Sequence, residues 1–243
     1  MASSGPETIL AISGLKVTNT LLATLVVDLV IVLLVVVIRR RLSLVPGKLQ
    51  AAAEGIVGYL HTTTEQVAGA RTTMIFPWVA VFFIYIALSN LIGLFPGFGT
   101  VGFFRAEGFV PILRVSTSDL NVTLALALVS VVAANALAIR SNGLGGHLKR
   151  FFSLSPLLLF VGILELVQEV TKLVTFSFRL YGNISAGEVV LGTMSALAAF
   201  VVPIPFLAFE ILVGLVQGLV FALLTMAFMT ILTEPHHKEE HSR

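Results

Sequence analysis

The sequence predicts an all-α, polytopic integral membrane protein, and three observations lead to this fold class. The 243-residue chain is 57% hydrophobic and only 12% charged, whereas a soluble domain carries about 25% charged residues. Five apolar regions each reach the length of about 20 residues that a helix needs to cross a bilayer. The basic residues cluster at the ends of these regions, which membrane topology explains better than nucleic-acid binding. Cysteine is absent, which excludes disulfides and Cys-based metal sites.

The predicted elements follow one another as a single membrane domain over residues 1–243. The first span is followed by Arg39, Arg40 and Arg41, which favours an anchored first helix over a cleaved signal peptide. The next segment mixes apolar and polar positions, as in an amphipathic helix on the membrane surface or one packed in the cytoplasm. In order, we predict an outer N-terminal segment (1–19), a first span (20–38), the amphipathic segment (46–71), a helical pair (74–139), a long tilted helical pair (156–232) and an inner tail (233–243).

The distribution of Lys and Arg predicts the orientation of the chain. With the N-terminus outside, ten of the 15 basic residues lie in inner segments and three in outer segments, while Lys172 and Arg179 lie in the membrane. Because cytoplasmic segments carry the excess of positive charge, we predict an outer N-terminus, a cytoplasmic C-terminus and about five crossings.

The fourth apolar region, residues 156–200, is too long for an ordinary span. As a helix it would extend about 67 Å, roughly twice the thickness of the hydrocarbon core. The helix could break at Gly182 or cross the membrane at a steep tilt. We favour the tilt, because a break would add a crossing and place the HHKEEHSR tail outside.

The last two regions carry ionisable and amide side chains at membrane depth, where such residues are functional by default. At about 100° per residue, four of them share one stripe of the fourth region. Asn183 lies near this stripe, Glu188 lies on roughly the opposite face, and Glu210 and Gln217 share a face of the last helix. The four residues of the stripe are Glu165, Glu169, Lys172 and Arg179.

Simpler roles compete with functional ones for several of these residues. Lys172 follows Glu169 by three positions, which favours a local ion pair. Glu165 could be a polar residue whose hydrogen bonds are satisfied at a helix–helix contact. Asp28 in the first span is more typical of a packing or oligomer contact than of a functional site. Arg179 has no acid three or four positions away, so its partner must come from another helix or another chain.

The depth of the carboxylates suggests two half-pathways. In the predicted orientation Glu165 and Glu169 lie toward the inner face, and Glu188 and Glu210 lie toward the outer face. Arg179, whose charge is permanent, falls between the two sets as a barrier.

The segment SFRLYGNISAGE (177–188) resembles the signature of subunit a of the rotary F-type ATP synthases, S-L-x-x-R-L-x-G-N-x-x-A-G. The resemblance covers about residues 45–233. Four further segments match in order: LSNLIGLFPG (88–97), TSDLNVTLALAL (117–128), ILELVQEVTK (163–172) and LVQGLVFALLT (215–225).

The resemblance implies a stator channel subunit that couples proton flow to rotation and ATP synthesis. Arg179 would separate two half-channels and face the carboxylate of the c-subunit ring, and Glu165 matches the inner-channel acid. Two departures are Glu210, where some members have histidine, and Leu173, where many have proline. The outer proton path would contain Glu188, Glu210, Gln217, Asn90, Asp119 and Asn183.

The resemblance also implies the partners and the location. The partners are the c-ring, the b/b′ peripheral-stalk subunits, the remainder of the complex and the lipid bilayer, with no nucleic acid. For the location we favour a bacterial plasma (inner) membrane, because the N-terminus lacks an Arg-rich, Ser-rich transit segment, and an organelle-encoded chain, which would lack one too, stays an alternative. We predict no cofactor and no metal site, and direct ATP binding is not expected because the chain lacks G-x-x-x-x-G-K-[ST]. The nucleotide chemistry would belong to other subunits, and the c subunits would decide between H⁺ and Na⁺.

Three further interpretations compete or remain open. A secondary transporter working alone is disfavoured because no internal repeat is visible. A purely structural subunit does not explain five ionisable residues in the fourth region. The small residues of GLVQG (214–218) would allow another helix to approach closely, either a helix of a partner chain or one of this chain.

Overall fold

The computed structural model describes residues 7–12, 15–95, 98–99, 101–105, 108–151, 156–197 and 202–234. Nearly all of this part of the chain is helical, which agrees with the predicted all-α class. The histidine-containing end of the predicted inner tail lies outside the described residues. The helices are α1 (Asn19–Arg40), α2 (Lys48–Ala68), α3 (Thr72–Gly93), α4 (Leu120–Phe151), α5 (Pro156–Leu197) and α6 (Pro203–Thr233), with 3₁₀ turns at Gly69–Arg71 and Ser116–Ser118.

Within the described residues, four helical segments are long and apolar enough to cross a membrane. One of them joins α2, the intervening 3₁₀ turn and α3 into a single stretch. The helix α5, which carries charged residues along its length, is not among the four. The chain is therefore a multi-pass membrane protein. The four segments are Asn19–Arg40, Lys48–Gly93, Leu120–Gly145 and Pro203–Thr233.

The helix α5 is continuous over 42 residues, or about 63 Å at about 1.5 Å per residue. It passes through Gly182 without a break, as the sequence analysis favoured. The long helix α4 behaves differently, since Gly143 has φ 76° and ψ 157° inside it. Only glycine adopts this backbone conformation readily, so the apolar part of α4 ends at a kink.

Two short antiparallel hairpins were not anticipated by the sequence analysis. The first pairs β1 (Thr8–Ile12) with β2 (Leu15–Thr18), directly before α1. The second pairs β3 (Gly102–Arg105) with β4 (Gly108–Pro111), in the connection between α3 and α4. This second hairpin leads into the 3₁₀ turn at Ser116–Ser118, which packs against α5.

The helix α6 packs along α3 at the centre of the molecule. A Cβ atom placed on Gly214 would lie 2.9 Å from Cβ of Asn90, and one on Gly218 would lie 3.2 Å from the backbone nitrogen of Ala87. The close approach predicted for GLVQG is therefore an intramolecular contact with α3. Its interpretation as a contact with a partner chain is wrong, because Gly214 and Gly218 already face α3.

Two clusters of buried side chains form the core. One joins α2, α3, α4 and α6 around residues such as Leu60, Ile75 and Met229. The other joins α3, α4, α5 and α6 around Phe176 and Phe221, whose ring centroids are 4.9 Å apart. The second cluster holds α5 against α6 and sets the distance between the two helices that carry the polar residues.

The helix α2 packs against α3 and α6 through one side. Leu60, Thr64 and Ala68 are its buried residues, and the His61 ring lies 5.0 Å from that of Phe76. The rest of α2 is largely exposed, including apolar side chains such as Tyr59. Its C-terminal half is thus anchored to the helical body.

Candidate functional site

One polar link connects α5 to α6. Asn183 donates a hydrogen bond from Nδ2 to Oε1 of Gln217, at 2.8 Å. Gln217 is only 5% exposed, and its Nε2 is buried without a hydrogen-bond partner among the described residues. Because Asn183 follows Arg179 by four positions, it lies one turn from the arginine on a neighbouring face of α5.

Arg179 lies at the edge of an open cavity of about 290 Å³ between α5 and α6. No described residue forms a hydrogen bond or an ion pair with its guanidinium group, and no Asp or Glu lines the cavity. The sequence predicted that the partner of this arginine lies on another helix or another chain. No helix in the described part of this chain supplies one. The other lining residues are Gln168, Thr171, Lys172, Thr175, Phe176, Leu224 and Phe228.

The two predicted outer carboxylates lie near one another. Glu210 on α6 is 9% exposed, and its Oε2 is buried without a hydrogen-bond partner among the described residues. It packs against Gly187 of α5, where an added Cβ would lie 2.5 Å from Oε1. Glu188 is close enough to interact electrostatically with Glu210. The structure thus brings together two side chains that are 22 positions apart in sequence.

Glu188 also forms an ion pair that sequence reasoning missed. Nη2 of Arg114 lies 3.2 Å from Oε2 of Glu188. Arg114 belongs to the connection between β4 and the 3₁₀ turn at Ser116–Ser118. The only signal in the sequence was a basic residue in a predicted outer segment, and nothing there indicates a contact with α5.

Asn90 and Asp119 form structural hydrogen bonds. Asn90 donates from Nδ2 to the Gly214 carbonyl oxygen at 3.1 Å and accepts from Oγ1 of Thr117 at 2.7 Å. Asp119 accepts from Oγ1 of Thr20 at 2.8 Å and from the backbone nitrogen of Asn121 at 2.9 Å. Asn90 is thus tied to α6 one turn before Gln217, whereas the bonds of Asp119 join the start of α4 to α1.

The predicted inner carboxylates lie on α5, on the other side of Arg179 from Glu188. The expected local ion pair is confirmed, because Nζ of Lys172 lies 2.7 Å from Oε1 of Glu169. Asn135 of α4 donates to Oε2 of Glu169 at 3.4 Å, and Lys172 lies over the Phe228 ring at 4.3 Å. Glu165 lies one turn earlier on the same stripe and is partly exposed.

The described part of the chain holds no group of three or more His, Asp or Glu side chains suited to a metal ion. The arrangement is instead a cation on α5 that has no partner among the described residues, with Glu165 and Glu169 before it on α5 and the pair of Glu188 on α5 and Glu210 on α6 on its other side. Such an arrangement can exchange protons with a carboxylate presented from outside and can prevent direct transfer between the two pairs.

Comparisons with known proteins identify the family. The family model described as ATP synthase A chain matches residues 20–230. The chain is 33% identical over 220 residues to ATP synthase subunit a 1 of Hahella chejuensis, covering 90% of this chain and 86% of that protein. It is 33% identical over 220 residues to the sodium ion specific ATP synthase subunit a of Propionigenium modestum, covering 89% and 74%. It is 32% identical over 203 residues to ATP synthase subunit a of a Geobacter species, covering 82% and 80%.

Proposed function

Because the chain belongs to the ATP synthase A chain family and is the proton-translocating stator subunit of the Fo sector, we propose that its last two helices form two half-channels. The outer half-channel contains Glu188, Glu210, Asn183 and Gln217, and Asn90 and Asp119 lie on its route to the surface. The inner half-channel contains Glu165 and Glu169. Arg179 separates the two.

The observation that carries this proposal is the position of Arg179. Its guanidinium group has no partner among the described residues and faces an open cavity. Glu169 lies ten positions before it and Glu188 nine positions after it, which corresponds to about 15 Å and about 13.5 Å along the helix. A permanent cation thus stands between two carboxylate groups that are too far apart to exchange a proton directly.

The partner of Arg179 is a carboxylate of the c-subunit ring. When this carboxylate faces lipid, desolvation keeps it protonated, whereas the guanidinium group favours its ionised form. It therefore releases its proton toward Glu165 and Glu169 and is reloaded from Glu188 and Glu210. Each ring site must travel through lipid between the two paths, so proton flow produces rotation.

The surface of α5 supports a lipid-facing or ring-facing position. Val170, Val174 and Phe178 are exposed apolar side chains on the same helix as Arg179. At about 100° per residue, Val170 and Val174 lie on roughly the opposite face of α5 from Arg179, so we assign them to lipid. The face of α5 that carries Arg179 contacts the c-ring in a bacterial inner membrane, with the N-terminus outside and the C-terminus in the cytoplasm. The excess of basic residues in the predicted inner segments supports this orientation, and the b/b′ peripheral stalk would hold the subunit still.

The test is ATP-driven proton uptake into inverted membrane vesicles that carry the complete complex. Arg179→Ala is expected to abolish uptake while the complex remains assembled and ATP hydrolysis continues. Arg40→Ala removes an exposed arginine at the end of α1 and serves as the matched control with normal uptake. Uptake near the wild-type rate in Arg179→Ala would show that the cation is only structural.

A further inference from the structure

The connection between α3 and α4 is fixed against the helices on which the outer carboxylates lie. Ser116 and Ser89 share a hydrogen bond of 2.6 Å between their hydroxyl oxygens. Thr117 donates to Asn90 at 2.7 Å. Both bonds are buried and join the 3₁₀ turn at Ser116–Ser118 to α3. Arg114, two residues before this turn, therefore extends from a well-held backbone.

Contacts with Ser118 and Glu188 hold the side chain of Arg114. Its Nε donates to Oγ of Ser118 at 3.2 Å, and its Nη2 lies 3.2 Å from Oε2 of Glu188. The two side chains of the ion pair are 15% and 27% exposed, respectively. Charges shielded from solvent to this degree interact more strongly than a fully exposed surface pair, because water and salt screen them less.

Two charged groups face Glu188 from the described elements that surround it. Arg114 approaches from the connection before α4, and Glu210 approaches from α6. Asp119, the next acid along the connection, is bound to Thr20 and Asn121 instead. On α5 itself, Arg179 lies nine positions away on roughly the opposite face. Among the described residues, the outer site thus contains two carboxylates and one guanidinium group.

We propose that Arg114 is a positioning residue of the outer half-channel: it binds Glu188 as a fixed counter-ion and leaves Glu210 to carry the proton. This inference rests on the proposed function. Arginine does not release its proton, so Arg114 itself takes no part in the relay. Its pairing with Glu188 leaves one net negative charge at the site. Without it, two facing carboxylates would hold a shared proton more tightly, because like charges disfavour double ionisation.

The experiment measures ATP synthesis by inverted vesicles whose lumen corresponds to the outer face. The lumen pH is varied at fixed medium pH and fixed membrane potential, and in a second series the medium pH is varied alone. In Arg114→Gln, the lumen pH of half-maximal rate is expected to rise by about one unit, with no change in the dependence on medium pH. Glu188→Gln leaves the cation beside Glu210 and is expected to shift the lumen profile in the opposite direction.

Two further variants keep the test decisive if Arg114→Gln assembles poorly. Arg114→Lys retains the charge and is expected to shift the profile less than half as far. The double variant Arg114→Gln/Glu188→Gln removes both charges and is expected to return the profile toward wild type. An unchanged lumen profile in assembled Arg114→Gln would overturn the inference, as would a double variant that is no closer to wild type than the singles. Arg179→Ala is measured in parallel, since its continued activity would refute the half-channel proposal itself rather than the role of Arg114.

Discussion

Asn183 on α5 and Gln217 on α6 are joined by a hydrogen bond of 2.8 Å. It connects the two long helices one turn away from Arg179. Apolar side chains such as Phe176, Leu180 and Phe221 form much of the remaining contact between these helices. The bond also orients the Gln217 amide, because its oxygen accepts from Asn183 while its buried nitrogen stays available.

The bond between Asn183 and Gln217 is expected to show energetic coupling. In a double-mutant cycle with Asn183→Leu and Gln217→Leu, we expect a coupling energy of about 0.5–1.5 kcal/mol, the range for hydrogen bonds between membrane helices. The measurement is unfolding of the subunit in the purified complex by SDS. Thr193→Val, which removes an exposed hydroxyl bonded within α5, is the control. Additive effects of the two substitutions would contradict a direct bond.

A side chain at Gly187 is expected to displace the Glu210 carboxylate. In a helix, Gly→Ala ordinarily stabilises by about 0.5–1 kcal/mol, but a Cβ at Gly187 would lie 2.5 Å from Oε1 of Glu210. Gly187→Ala must therefore displace the Glu210 carboxylate and should slow proton uptake severalfold in assembled complexes. Gly192 on the same helix has open space around it. Gly192→Ala should match wild type, and an equal effect of the two substitutions would show that helix flexibility, not the contact, is responsible.

Substitutions in the ion pair between Glu169 and Lys172 are expected to affect the stability of the subunit and its proton transport differently. Either Glu169→Gln or Lys172→Gln leaves one charge uncompensated, at a cost of about 1–2 kcal/mol for a partly buried pair. The double substitution should recover most of this stability, as measured by heat inactivation of the complex. Proton uptake should stay reduced, because the inner half-channel has lost a carboxylate. Full recovery of uptake in the double variant would assign Glu169 a structural role only.

Arg71 is expected to stabilise the end of α6. Its Nη1 donates to the Thr230 carbonyl oxygen at 2.9 Å and to Oγ1 of Thr233 at 3.3 Å, where a helix has carbonyl groups without partners. Arg71→Gln should destabilise the subunit by about 1–2 kcal/mol. Heat inactivation of the complex measures this loss, with Arg40→Gln as the control of equal charge. Proton uptake per assembled complex should be unchanged, and a specific loss of uptake would point to a role in the inner half-channel.

The sequence predicted the features that depend on one helix alone. The continuity of α5 was favoured because a break at Gly182 would have added a crossing and placed the C-terminal tail outside. The ion pair of Glu169 with Lys172 followed from a spacing of three residues, which places both side chains on one face. The position of Arg179 without a local acid followed from the same helical geometry. The short hairpins were missed, because each consists of strands of only four or five residues.

The contacts between distant segments were decided by the tertiary structure. Arg114 and Glu188 are 74 positions apart, and Asn90 and Gly214 are 124 positions apart. The sequence by itself determined a membrane protein with charged residues on its last two helices, because hydropathy and helical periodicity depend only on neighbouring residues. Only the packing of α3, α5 and α6 decided which of those charges meet. Gly187, Gly214 and Gly218 allow another helix to approach closely. The residues that approach them are distant in sequence, so the residues next to each glycine do not identify its partner.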